Sequence, residues 1–576
     1  MSQEDIPKGP KAENKEVDVL VVGSGTGMMA AMVAHERGLE TLIIEKTALV
    51  GGSTARSGGA FWIPANPILE RSGSTDTLKK GEEYLEAITG DAPKKTWMSF
   101  LKNGPDAVQF LDDHTPLKLF WAKGYSDYHP ENPGGDSVGR TCEAKAFNIN
   151  RLGEESKRLR PAPMNAPIPM PVTGYDYKWM NLMFSKPFKA FPIVFKAMGQ
   201  GIGGLLIGKK MTAGGEALAA GLFTGVKDKN IPVWTNTGLK ELIKKDNKIV
   251  GAIVEQDGKE YTITARKGVI LAAGGFDHNL PMRQKYQSPS LTNHYSLGAE
   301  ENKGDGIFKP QEKLNAATAY MNESWWFPAV APVEKDGAPQ VMLAERSLPG
   351  GFIVNSKGER FINEAKDYMS FGQNLLKKEK EGNPIKEMWL VFDQKYRNKY
   401  ILAGAIMPKM PLPKEWYEAG IAHKANSPEE LAEKTGFPKE TFTATFSRFN
   451  KMAENGKDED FQRGESAYDR YYGDPTVKPN PNLRPLQENK LYAVKMVLAD
   501  LGTCGGVVAD EYGRVIDKEE NIISGLYAIG NNSANIFGRV YPGAGGTIAQ
   551  GIVFDTVPKS VSIFIKQSSQ LIYLKF

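Results

Sequence analysis

At 576 residues the chain is longer than one compact core supports, so at least two domains are expected. Hydrophobic residues make up 41% and charged residues 24%, an ordinary globular balance, and a net charge of +4 on this length argues against nucleic acid as the main partner. Cys142 and Cys504 are the only cysteines and the six histidines form no ligand pair, which excludes a disulfide framework and predicts no protein-built metal site.

Residues 1–16 are polar, of mixed charge and without a signal-peptide core, and are expected to form a disordered arm. Residues 17–283 read as the first part of a nucleotide-binding domain. Val19–Val22 is an apolar, β-branched run of the kind a buried parallel strand shows. Gly23, Ser24, Gly25, Thr26 and Gly27 follow, then an Ala- and Met-rich helical stretch, then a second strand, Thr41–Ile44, ending in Glu45 and Lys46. Strand, glycine turn, helix and strand make a βαβ unit whose turn lets backbone approach a pyrophosphate at the helix N-terminus. Glu45 stands about 20 residues on, where a carboxylate accepts from a ribose. The third glycine of the fingerprint is replaced by Met28, which predicts looser strand–helix packing.

The loop Lys46–Pro64 is rich in small residues. Gly52, Ser53, Thr54, Ser57, Gly58 and Gly59 are read as backbone and hydroxyls for a planar, phosphorylated cofactor. Thr75–His114 is expected to be helical, with breaks at Pro105 and Pro116. Tyr177–Lys210 interleaves aromatics and methionines with lysines and ends in a glycine-rich apolar run. Two readings stay open for it: a helix lying in a membrane interface, or a buried helical hairpin. A hairpin with its turn at Asp257-Gly258 is expected next, then the strand Val269–Phe276, whose Ala273 and Gly274 give a second approach to the dinucleotide. Residues 284–487 lose the βαβ rhythm and read as an inserted cap domain. Residues 488–576 return to apolar strands and a glycine turn, with Gly530, Asn531, Gly546 and Thr547 at the cofactor, and close with a tail, Val561–Phe576. The fold class expected is α/β: a Rossmann-like domain split in sequence, with an α+β cap between its halves.

GSGTG with Glu45, GGSTARSGG, VILAAGG and GLYAIGN…YPGAGGT resemble, in order, the FAD-dependent fumarate reductase and 3-ketosteroid dehydrogenase superfamily. In the cap, GERFINEAKDYMSF is similar to the RFxNE stretch of fumarate reductases, which place an arginine where this chain has Tyr368. The 3-ketosteroid branch has a tyrosine there and a Tyr-Pro-Gly-x-Gly turn, matched by Tyr541–Gly545. Its DYYP loop resembles Asp127–Pro130, with His129 in place of the second tyrosine and Tyr128 beside it, so either side chain is a candidate.

The resemblance implies non-covalent FAD, since no His, Cys or Tyr stands in an attachment motif, a 3-ketosteroid substrate with or without a long side chain, and an external electron acceptor. It also implies the roles. Tyr541 and the N–H of Gly545 stabilise the enolate oxygen. Tyr368, ionised or partly so with help from hydrogen bonding by Tyr128 or His129, takes the C2 proton, and hydride from C1 goes to flavin N5. Three alternatives are kept: a Δ4-(5α)-dehydrogenase; reduction of an unsaturated acid, with Arg346 or Arg539 as the cation; and a non-catalytic flavin- or lipid-binding protein, with Met28 and His129 as signs of decay. No apolar run reaches the roughly 18 residues of a membrane span, so the chain is expected in the cytoplasm, with peripheral contact at the inner membrane face if Tyr177–Lys210 lies in the interface.

Overall fold

The computed structural model describes residues 6–163, 170–335 and 337–556, apart from positions 8, 292 and 294. The tail Val561–Phe576 lies outside the described residues.

The strand Lys15–Val22 is fully interior to an eight-stranded sheet, flanked by Lys259–Leu271 and Thr41–Ile44, both parallel to it. Val19–Val22 pair with Gly268–Leu271 on one side and with Thr41–Ile44 on the other, so the two predicted strand ends stop side by side at the glycine turn. Ile522–Ala528 joins in parallel beyond Lys259–Leu271, which returns the C-terminal part of the chain to the same sheet. The hairpin at Asp257-Gly258 forms, with both turn residues at positive φ.

The second half of the expected arm is packed. Ala12 is buried and its N–H donates to Gln256 Oε1 at 2.7 Å, while Lys15 already belongs to the first strand. The cap is a six-stranded antiparallel sheet, and its central strand is Leu491–Thr503, paired with Ser324–Val330, Met388–Asp393 and Ala422–Ala425. This moves the cap boundary past the expected residue 487: an apolar strand declares its burial but not which sheet buries it. Pro105 does not break its segment, which runs as one helix over Lys94–His114.

Met28 does not loosen the βαβ unit. The helix begins at Gly27, and a Cβ there would sit 2.9 Å from Ala272 Cβ and 3.0 Å from Val21 Cγ1, so Gly27 supplies the close approach. Met28 points into the core with Met29 and Met32, fully buried.

Candidate active site

The nucleotide end of the site is a cradle of backbone. Gly23 takes a φ of 110°, and a Cβ on it would strike Ala272 O at 2.3 Å, so only glycine fits. Ser24 Oγ donates to Glu45 Oε2 at 2.7 Å and accepts from Gly51 N at 3.1 Å, tying the turn to the next strand and to the small-residue loop. Glu45 is buried, and Thr47 N–H and hydroxyl donate to its other oxygen at 3.0 and 3.1 Å. Residues 52–56 form one short helix, and Gly25 faces Thr54, whose Oγ1 lies 3.2 Å from where a Cβ would be. Ser53 Oγ accepts from Ala299 N and Asn302 Nδ2, both at 2.9 Å. Ala273 N donates to Asn532 Oδ1 at 3.2 Å, and Gly274, at φ 75°, lies against Asn302. Gly530 and the helix Gly546–Thr556 close the cradle over Thr26; a Cβ on Gly551 would come 2.3 Å from Thr26 Oγ1. Not every expected residue converges there. Gly59 packs on Gly214 beside Gly58, Ser57 Oγ donates to Thr54 O, and Lys46 pairs with Asp305 at the surface, 2.7 Å apart.

The bare backbone of the glycine turn, close-packed at Gly25, and the fixed carboxylate fit a dinucleotide. This turn would hold the pyrophosphate of FAD, and Gly546 and Thr547 at the start of the last helix would be available to its ring.

The other end of the site is aromatic. Tyr368 is the first residue of the helix Tyr368–Lys380, capped by Asp367, whose carboxylate accepts from Ser370 N at 2.9 Å. Arg346 donates to the carbonyls of Glu364 and Lys366 and so braces the turn that ends at Tyr368. Arg539 is tied down at the surface by Asn322 at 2.7 Å and Glu323 at 3.5 Å. Tyr541 comes from the turn before the last helix and Tyr128 from the loop Tyr125–Pro130. Their rings meet as a triangle, with centroids 5.3 Å apart for Tyr128–Tyr368, 5.2 Å for Tyr128–Tyr541 and 5.5 Å for Tyr368–Tyr541. Gly545, at φ 93°, aims its N–H at Tyr541 Oη, 3.3 Å away, so the two donors stand at one point. His129 makes no ring contact with either tyrosine among the described contacts, and its N–H donates to Tyr84 Oη at 3.2 Å.

Trp325 joins the two ends. Its ring lies 4.5 Å from that of Tyr541, and its N–H donates to Asn531 Oδ1 at 3.1 Å, which also accepts from Thr547 at 2.9 Å.

Burial governs the electrostatics. It pushes the Tyr368 and Tyr128 hydroxyls well above their ordinary value and Tyr541 up to about 12. Burial thus favours the neutral phenol in all three, and an ionised or partly ionised Tyr368 forms against that cost. Sequence reasoning also missed the rings behind the triangle. Tyr468 packs 4.7 Å from Tyr128, and Tyr471 stacks on Tyr125 at 4.4 Å. Among the described residues, the buried hydroxyls of Tyr468 and Tyr471 have no partner within hydrogen-bond distance. The run Tyr468, Tyr471, Tyr472 has the spacing of one helix face, which was the available signal.

Residues 18–548 match the FAD binding domain family. A 3-oxosteroid 1-dehydrogenase of Mycolicibacterium smegmatis is 45% identical over 94% of this chain and 96% of that protein. The solved 3-ketosteroid Δ1-dehydrogenase of Sterolibacterium denitrificans, in complex with 1,4-androstadiene-3,17-dione, is 34% identical with a TM-score of 0.89, over 96% of this chain and 100% of that one. A 3-ketosteroid-Δ4-(5α)-dehydrogenase of Rhodococcus jostii RHA1 shares the fold at a TM-score of 0.65 and 19% identity, over 96% and 99%. The chain belongs to the FAD binding domain family and, within it, to the branch of the 3-oxosteroid 1-dehydrogenases.

Proposed function

We propose that the chain is an FAD-dependent 3-ketosteroid dehydrogenase that introduces a C1=C2 double bond. The observation that carries this is the triangle of Tyr128, Tyr368 and Tyr541, with Gly545 N–H on Tyr541 Oη, at the end of a dinucleotide cradle. A 3-keto group acidifies its C2 hydrogens because the carbanion delocalises onto oxygen. Tyr541 O–H donates to that oxygen where its charge develops, and Gly545 N–H, which in this structure donates to Tyr541 Oη, becomes the second donor when the carbonyl oxygen displaces that contact. Tyr368 receives the C2 proton. A neutral phenol is a poor base, so Tyr368 acts as its phenolate, formed by release of its own proton to solvent before the step, with the Tyr128 hydroxyl, its ring 5.3 Å away, placed to donate to the phenolate oxygen. FAD, bound non-covalently, supplies the acceptor for the C1 hydride. Anaerobic mixing with a panel of 3-keto-4-ene steroids tests the reading: loss of flavin absorbance with formation of a 1,4-diene supports it, and an unchanged spectrum across the panel refutes it.

The exposed segment carries a second reading, about the partner surface. Among the described residues no helix is long and apolar enough to cross a membrane. The helices Gly174–Asn181 and Pro187–Met198 and the turns after them nonetheless leave Phe188 97%, Leu206 83%, Ile207 68% and Phe195 67% exposed. Lys186, Lys189, Lys196, Lys209 and Lys210 lie among these side chains in sequence. An apolar face ringed by lysines fits an anionic bilayer surface, from which a sparingly soluble steroid would be drawn. The first helix reaches inward from this face: Lys178 lies over the Tyr471 ring at 3.5 Å, next to the aromatic site. Flotation with anionic vesicles at low salt decides it, since protein that stays at the bottom of the gradient excludes the interface.

A further inference from the structure

Tyr128 and Tyr541 come from opposite ends of the chain, and a single carbonyl registers them. Pro542 O accepts from Tyr128 N at 3.1 Å and from the Tyr84 hydroxyl at 2.7 Å. Tyr84 Oη accepts in turn from His129 N at 3.2 Å. One phenol thus stitches the backbone beside Tyr128 to the backbone beside Tyr541.

Tyr84 is fully buried on the helix Leu78–Ile88, and what backs it is charged. The Arg140 guanidinium lies over its ring at 5.4 Å and over Trp62 at 5.9 Å. Arg140 donates from Nε to Asp76 Oδ1 at 2.9 Å, from Nη2 to Gly134 O at 2.7 Å, and from Nη1 to Asp127, the residue before Tyr128. Asp127 also accepts from Trp62 Nε1 at 2.8 Å. Trp62 closes the ring of contacts on the other loop, because a Cβ on Gly543 would fall 2.3 Å from its Cδ1. The side chains of Arg140, Asp76 and Asp127 are wholly buried, and such a group holds its geometry only while every member is present.

We infer that Tyr84 is a positioning residue for the dehydrogenation: its hydroxyl fixes the spacing of Tyr128 and Tyr541, and the Arg140–Asp127–Asp76 clamp holds it there. The inference rests on the steroid reading above. A misplacement of about 1 Å at such a site costs on the order of 10²-fold in rate.

The test is Tyr84→Phe in the holoenzyme, which keeps the ring, its packing and the cation above it. The expected result is a kcat lower by roughly 10–100-fold, with KM, flavin content and melting temperature near wild type. A steroid with an aromatic A ring, whose 3-oxygen mimics the enolate, should bind more weakly by a similar factor. The isotope effect from C2-deuterated substrate should rise, because proton transfer becomes slower relative to the other steps. Tyr84→Phe with wild-type kcat and analogue affinity overturns the inference, and so does a rate loss that only tracks lost flavin. Asp127→Asn provides an independent check from the clamp, and an unchanged isotope effect in an active, flavin-loaded Asp127→Asn protein counts against it. Wild-type protein inert toward every steroid would instead overturn the functional reading, before Tyr84 is reached.

Discussion

Two regions of this molecule are crowded with aromatic rings, and they use them oppositely. In the tyrosine site, Tyr128, Tyr368 and Tyr541 are 2–5% exposed, and each ring meets the next edge to face. On the helix Pro187–Met198 the rings face out, with lysines between them, and only Ala190 and Ala197 are buried. Burial in the first region raises the phenol pKa values and fixes hydroxyl positions, so small changes there should alter rate without altering binding to anything outside. Exposure in the second leaves apolar area without a partner among the described residues, and changes there should alter association and leave the chemistry alone. Sequence composition does not separate the two, because both are aromatic-rich; what separates them is what each ring touches.

Four substitutions sharpen that contrast, beginning with the largest effect. Tyr368→Phe removes the group that takes the C2 proton, and turnover should fall by at least about 10³-fold, near the upper end of general acid–base contributions, with flavin retained. Tyr541→Phe removes one of two donors to the enolate oxygen, and steady-state turnover should fall by roughly 10²–10³-fold. An unchanged rate in either variant would break the assignment of the triangle. Phe188→Ser combined with Leu206→Ser should weaken vesicle binding by about 100-fold or more, from the roughly 1.5–3 kcal/mol that each of two buried side chains of this size contributes, while turnover of a short-chain, soluble steroid stays at the wild-type value. If that double variant instead unfolds or loses turnover, the face is part of the core and the contrast fails.

The smallest effect concerns pH. Burial pushes the Glu143 carboxyl up to about 7, against hydrogen bonding to it, of which the Tyr175 N–H at 3.3 Å is the foremost. The folded state therefore holds a proton that the unfolded chain releases near its ordinary 4.5. The sign follows: this group's contribution is fully present below pH 4.5 and is lost as pH rises through about 7. Glu143→Gln should raise the melting temperature at pH 8 by roughly 1–2 °C and leave it unchanged at pH 4. Lys178 runs the other way: burial, with Lys189 nearby, lowers it to about 7, so its contribution to stability grows as pH rises from 7 toward its ordinary 10.5. Differential scanning across pH 5–9 separates the two.

The glycine cradle was legible in the sequence because its constraint is local. A residue at φ 110° beside a carbonyl must be glycine wherever the rest of the chain goes. Tyr368 and Tyr541 were legible only through motifs. The remaining rings were not, since Tyr472 and Tyr125 share a 2.7 Å hydrogen bond across 347 residues, and Tyr84 reaches Pro542 across 458. The Met28 expectation failed for a simple reason: the helix starts at Gly27, so the close contact moved by one residue. The cost of ionising Tyr368 was not legible, because the chemistry required of a residue does not state its surroundings, and here those surroundings are other phenols.

The central claim is that proton and hydride leave from adjacent carbons of ring A, the proton to a tyrosine and the hydride to the flavin. Single-turnover anaerobic reaction with 3-keto-4-ene steroids labelled with deuterium at C1 or at C2 tests it most directly. The account predicts a primary isotope effect on flavin bleaching from the C1 label, release of the C2 label to solvent, and a 1,4-diene product. Bleaching by a saturated 3-ketosteroid with loss of a C5 label, and none from the 4-ene, would contradict it.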